Sequence, residues 1–205
     1  ELIARSQRMA NWLLTLQRPD GSFPGGVEHD KSESSIFNTA QILDGLLAIG
    51  IRENNTTYLD AAERAASWLT DRQADDGSWT TNLYDVECRT YLCHAAWPLA
   101  KAGEVNHFKR SSEYRDAAKR FADWAITFQT TNGWIEKWSF KLGADDDEIN
   151  TLHTIAYTIE GLLEMGFLWD DEALLAAASS AAERLLRRFE VEGVLWGEYD
   201  NQWRK

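Results

Sequence analysis

His94, His153, Tyr157 and Glu160 are the side chains of this sequence best suited to moving a proton. Hydrolysis, elimination or epimerisation at a sugar needs a base and an acid aimed into one cavity. A histidine and a tyrosine suit proton abstraction beside a carboxylate, and Glu160 adds a carboxylate of its own. Arg89, a few residues before His94, can hold an acidic substrate group through two parallel hydrogen bonds. Nucleophilic serine or cysteine motifs, glycine-rich phosphate loops and His-Glu-x-x-His strings are absent from the sequence. Cys93 and His94 are adjacent, and adjacent helical residues point about 100° apart, so the two do not share one ion. Cys88 and Cys93 sit about 7.5 Å apart along a helix axis and about 140° around it, which is not disulfide geometry. Two unpaired thiols fit a reducing, cytoplasmic compartment.

These residues must be positioned by elements, and the elements repeat. Arg8-x3-Trp12-Leu13-x3-Gln17-x3-Gly21-Ser22-Phe23 returns as Arg64-x3-Trp68-Leu69-x3-Gln73-x3-Gly77-Ser78-Trp79. It returns again as Arg120-x3-Trp124-x4-Gln129-x3-Gly133-Trp134, with the three glycines spaced by 56 residues each time. A worn fourth copy, Arg184 to Gly193, follows after 60. Self-similarity at a fixed period is the mark of repeat architectures. Each repeat reads as two helices. The first carries the motif and ends at Asp-Gly or Asn-Gly, where glycine supplies a left-handed terminus. The second helices are predicted over 34–50, 86–103 and 148–166, aligned on Gly50, Gly103 and Gly166. Ser34 or Ser35, Asp85 and Asp147 are their candidate caps.

Alignment of the second helices places Gln41, His94 and Tyr157 at one position and Asp44, Trp97 and Glu160 at another. Asn38, Tyr91 and Thr154 share a third. Steps of three or four residues make these a polar stripe on one helix face. Ala40/Cys93/Ala156, Leu43/Ala96/Ile159 and Leu46/Leu99/Leu162 form the opposite, core face. Gly45, Pro98 and Gly161 also align, a spacing that predicts close approach by a neighbour. A solvated face is the plain reading of such a stripe. Trp97, Tyr91 and Tyr157 within it point instead to a lined cavity.

Composition narrows the function classes. The chain has 205 residues, 44% of them hydrophobic, enough for a real core. Asp and Glu number 33 against 21 Lys and Arg, a net charge of −12. That balance leaves no basic footprint for a nucleic acid or an anionic membrane surface. No apolar run approaches a membrane span, and the first residues lack the basic-then-apolar pattern of an export leader. Only 3 Pro occur, strand-like alternation is nowhere sustained, and the segment 104–111 is the weakest point between repeats.

The motif resembles the QW repeat of the squalene-cyclase and terpenoid-cyclase proteins, which share an α/α toroid with the β subunits of protein prenyltransferases. Helical-hairpin barrels of related architecture occur among polysaccharide lyases, glycosidases and sugar epimerases. The resemblance covers about 8–193, although Met9, Ala65 and Phe121 stand where the motif usually has glycine. It implies an all-α fold, an α/α toroid of helical hairpins, in a single domain over 1–205. Its repeats would fall at about 1–50, 51–103 and 112–166, with a partial one at 170–205. It also implies that the motif helices form an outer ring and the second helices an inner one. Gln17, Gln73 and Gln129 would then tie outer helix ends to loops.

The loops leading into the inner helices would surround the cavity mouth, and they carry acids and aromatics. His29, Asp85, Trp138 and Asp146 lie there, and with Arg89, Tyr91 and Trp97 they are the candidate substrate-binding residues. Carboxylates beside aromatic platforms suit sugars; they also suit carbocations. The reading is thus a cavity enzyme, or part of one, for a polar, carbohydrate-like substrate, needing no cofactor. One alternative is a relative of the isoprenoid cyclases or the zinc prenyltransferases. For the first, Asp145-Asp146-Asp147-Glu148 can be set on the family's Asp-x-Asp-Asp acid. For the second, Asp85, Cys88 and His153 stand near the places of its zinc ligands, with Asp85-x2-Cys88 departing from the family's Asp-x-Cys. A non-catalytic helical-repeat binding module is the other alternative.

Four motif copies but only three second helices imply an incomplete ring. Uncapped repeat ends expose apolar surface. The expectation is that the rest of a longer chain, or a homo-oligomer, covers an open edge near Trp196 and Trp203.

Overall fold

A computed structural model describes residues 1–26, 33–85, 87–138 and 149–205. The helices among them are α1 (Leu2–Leu16), α2 (Ile36–Glu53), α3 (Thr56–Asp71), α4 (Cys93–Gly103), α5 (Ser111–Ile126), α6 (Leu152–Trp169) and α7 (Glu172–Glu192). Two short strands, β1 (Ile149–Thr151) and β2 (Glu198–Asp200), pair antiparallel with Asn150 opposite Tyr199. The helical reading of the repeats therefore holds. No helix among the described residues is long and apolar enough to cross a membrane.

Helix ends follow the local chemistry. Ser35 caps α2 by accepting from the Asn38 amide, and Asn54 closes it in the left-handed region at φ 48. The second helix of the next repeat starts later than 86. It begins at Cys93, after a 3-10 turn at Thr90–Leu92. Asp85 does not cap it, because the Arg89 Nε donates to the Asp85 carboxylate at 2.7 Å. Likewise α6 begins at Leu152 and not at 148, because the residues before it are drawn into β1. The candidate cap Asp147 lies outside the described residues.

Contacts divide the chain into two compact units. The first comprises Glu1–Asp75, Trp79–Leu83 and Pro98–Ala118; the second comprises Asp76–Ser78, Tyr84–Trp97 and Lys119–Lys205. The segment 104–111 lies within the first unit.

Within each unit one device joins successive motif helices. In the first, Gln17 Nε2 donates to the Ala61 carbonyl and Gln73 Nε2 to that of Ala117, both at 2.8 Å. In the second, Gln129 Nε2 donates to the Ala177 carbonyl at 2.7 Å. The receiving helices are narrow where this happens: Ala61, Ala62, Ala65 and Ala66 of α3 are fully buried. The motif glycine completes the joint. Gly77 has φ +91, and a Cβ there would stand 2.5 Å from the Arg120 carbonyl oxygen. Gly21 meets the main chain of Arg64 in the same way, and Gly133 that of Ser180.

The last of these contacts corrects the register of the fourth copy. Ser180, not Arg184, occupies the place of Arg64 and Arg120. Arg184 is one turn further on, at the place of Trp68 and Trp124, and Phe189 stands where Gln17, Gln73 and Gln129 stand. Trp203 also departs from expectation. It is buried, its ring centroid 5.1 Å from that of Trp134, whereas Trp196 is part-exposed.

Gln73 makes the role of these glutamines testable. Gln73→Ala leaves the Ala117 carbonyl without its side-chain donor, which costs about 1–3 kcal/mol when the abandoned group is buried. The expected result is a lower melting temperature with unchanged activity per folded molecule, read by thermal melts beside activity normalised to folded protein.

Candidate active site

Three polar side chains meet between α4 and α6, and a glycine brings them there. Gly161 of α6 lies against the Cys93 main chain so closely that a Cβ would overlap its carbonyl group. The residues flanking this contact are His94 and Glu160. His94 Nε2 lies 3.4 Å from Glu160 Oε2, with the histidine 14% and the glutamate 48% exposed. Tyr157, one turn earlier on α6, meets His94 edge to face with ring centroids 4.4 Å apart. His153, one turn earlier again and exposed, meets Tyr157 at 5.7 Å. Trp97 flanks His94 on α4 at 5.9 Å. Four candidate catalytic residues thus form one continuous row.

The arrangement has a chemical sense. A carboxylate beside one imidazole nitrogen orients the ring. Tyr157 supplies a phenol next to that ring. Half-exposed Glu160 and exposed His153 leave the row open to solvent.

No family model matches the chain. A copalyl diphosphate synthase of Streptomyces anulatus is 34% identical over 76 residues, 37% of this chain and 12% of that protein. Among solved structures, a D-mannose isomerase superposes with a TM-score of 0.70 at 13% identity, covering 98% of this chain and 56% of the isomerase. An inactive variant of an α-1,6-mannanase from a Salegentibacter species superposes with a TM-score of 0.69 at 14% identity, over the same shares. The ent-copalyl diphosphate synthase of Streptomyces platensis gives 0.56 at 23% identity, over 85% of this chain and 30% of the synthase.

The fold is an α/α toroid. This chain spans little more than half the length of the solved sugar enzymes it superposes on.

Other candidate residues of this toroid chain are placed differently from expectation. Arg89 is no rim residue; it is buried, its Nε on Asp85. Its Nη2 is buried too and has no partner. Tyr91 is buried, and burial pushes its phenol well above the ordinary range, with Cys88 and Asp85 adding to the effect. It therefore stays protonated near neutral pH. Trp138 is fully buried against Trp134 and Trp203, with no face left for stacking on a ligand. Ala156, expected on the core face, is exposed. His29 and Asp146 lie outside the described residues, as does Asp145–Asp147 as a whole.

Asp85 is engaged by Arg89, and His153 is exposed on α6. Among the described residues no three His, Cys, Asp or Glu side chains are grouped to hold one metal ion. Neither cysteine is in a disulfide, and burial drives the Cys93 thiol well above its ordinary pKa, so it is no nucleophile. The i,i+4 spacing of Asp85 and Arg89 was the available signal for their pairing. The burial of Trp138 under Trp203 had none, since the two lie far apart in sequence.

Proposed function

We propose that this chain is a cavity enzyme, or part of one, that acts on a polar, carbohydrate-like substrate by proton transfer. The observation that carries the reading is the row of His94, Tyr157 and His153 with the Glu160 carboxylate beside His94. In it His94 is the base, oriented by Glu160, and Tyr157 is the acid that returns the proton. The likeness to a D-mannose isomerase and an α-1,6-mannanase supports a sugar as substrate.

A second reading rests on a different observation, the 34% identity to a copalyl diphosphate synthase over 76 residues. It makes the chain a relative of the isoprenoid cyclases, with Asp145–Asp147 as acid. A polar row with histidine and tyrosine counts against it, since these groups would quench a carbocation.

One experiment separates the two. The protein is incubated with a panel of neutral aldoses and ketoses, uronate-containing oligosaccharides and an allylic isoprenoid diphosphate, and products are read by NMR. Conversion of a sugar is the expected result. Conversion of the isoprenoid alone overturns the reading.

A further inference from the structure

α4 contains a proline where its two counterparts contain glycine. Pro98 is buried and is the sixth residue of the helix. It stands well inside, because a 3-10 turn at Thr90–Leu92 already leads into Cys93. Gly45 and Gly161 hold the same repeat place in α2 and α6, and each keeps an amide hydrogen. Pro98 has none. The residue four before it, whose carbonyl that hydrogen would meet in a regular helix, is His94. A proline in a helix interior removes this rung and presses its ring on the carbonyl behind it, so the helix bends there. The fold thus departs from regular helix at the residue read above as the base. Departures from local rules gather at functional sites.

What lies ahead of the bend is the part of α4 that builds the row. Cys93–Trp97 is little more than one turn. Its Cys93 main chain rests on Gly161. Its His94 stands 3.4 Å from Glu160 Oε2 and, ring to ring, 4.4 Å from Tyr157. A regular helix would carry this turn in line with the rest of α4. Without the rung, the turn can take its tilt from the docking on α6.

We propose that Pro98 is a positioning residue of the candidate site: it sets the tilt of the first turn of α4, so that His94 meets Glu160 and Tyr157. The proposal rests on the reading of His94 as the base.

NMR of ring-labelled histidine tests this without a substrate. The Tyr157 and Trp97 rings shift the His94 ring protons according to distance and angle, and the resonance is assigned by its loss in His94→Ala. Pro98→Ala and Pro98→Gly each give position 98 an amide hydrogen. Each should displace the His94 resonance while the helical circular dichroism stays unchanged. Leu99→Val trims the next buried residue and leaves the main chain alone, so it should leave the resonance in place. With a sugar that the protein converts, kcat should fall about 10- to 100-fold in both Pro98 variants, since a displacement of about 1 Å suffices for that. KM should change less. A His94 resonance at its wild-type position in either Pro98 variant overturns the proposal. So does an equal displacement in Leu99→Val, which would assign the place of His94 to packing, and so do two Pro98 variants that fail to fold. A displaced resonance with wild-type turnover supports the role of Pro98 and counts instead against His94 as base.

Discussion

Replacing His94 by alanine is expected to lower kcat/KM, for the substrate on which the proposed reading is tested, by about 10²- to 10⁴-fold, the range that a positioned acid or base contributes. Tyr157→Phe should act on the same step, because it removes only the hydroxyl and keeps the ring edge-to-face with His94. Stability should change little. His94→Ala gives up two aromatic contacts, with Tyr157 and Trp97, at a part-exposed position, about 0.5–1.5 kcal/mol each, and Tyr157→Phe loses less. The measurement is steady-state kinetics beside a thermal melt for each variant. Two folded variants with wild-type turnover would remove the row from the mechanism. Two unfolded ones would make it core. Glu160→Gln offers a graded control: the ring stays, its charged neighbour goes, and the loss should be smaller than for His94→Ala.

The contacts among the candidate residues were legible as far as helical spacing reaches. Counting back from Gly103 and Gly166 put His94 and Tyr157 at one repeat position, and they are in contact. What the count could not supply is depth. Arg89 and Trp138 were placed near a cavity mouth and Tyr91 on its lining stripe, yet all three are buried. A residue's depth depends on what packs over it, and here the cover comes from afar: Trp138 is closed in by Trp203.

The fold was more legible than the site, because its joints are written in residue types. The glutamines were expected to tie helix ends to loops, and their side chains also reach the next motif helix, at Ala61, Ala117 and Ala177. The errors fall where a local competitor intervenes. Asp85 could cap a helix or pair with Arg89, and the ion pair wins. Asn150 could have joined α6, and the strand partner Tyr199 takes it instead. The fourth copy was misread by one turn because Arg184 supplied the expected residue type at the wrong place. The contact of Gly133 with Ser180 and the bond from Gln129 to Ala177 reveal the register.

Gly161 and Gly45 occupy the same repeat position, and the same substitution should move stability in opposite directions. Alanine in place of glycine at an exposed helix site stabilises by about 0.5–1 kcal/mol, because the unfolded chain loses freedom. Nothing lies within 4 Å of a Cβ built on Gly45, which is exposed in α2, so Gly45→Ala should show that gain. At Gly161 the new methyl runs into the Cys93 main chain, which cannot rotate away as a side chain can. Overpacking of this kind costs about 1–3 kcal/mol and sometimes more, so the clash outweighs the helix gain. For a chain of this size each kcal/mol is about 2–4 °C in melting temperature. Gly161→Ala should therefore melt several degrees below wild type and Gly45→Ala slightly above it. Gly161→Ala carries a second consequence. Pushing α6 away from Cys93 also separates Glu160 from His94, since each is the next residue along its helix. Turnover per folded molecule should fall with it, unlike in Gln73→Ala, where only the joint is lost. A Gly161→Ala protein with wild-type stability and wild-type turnover would mean that α4 and α6 are not held together at this glycine, and the account of how the row assembles would fail with it.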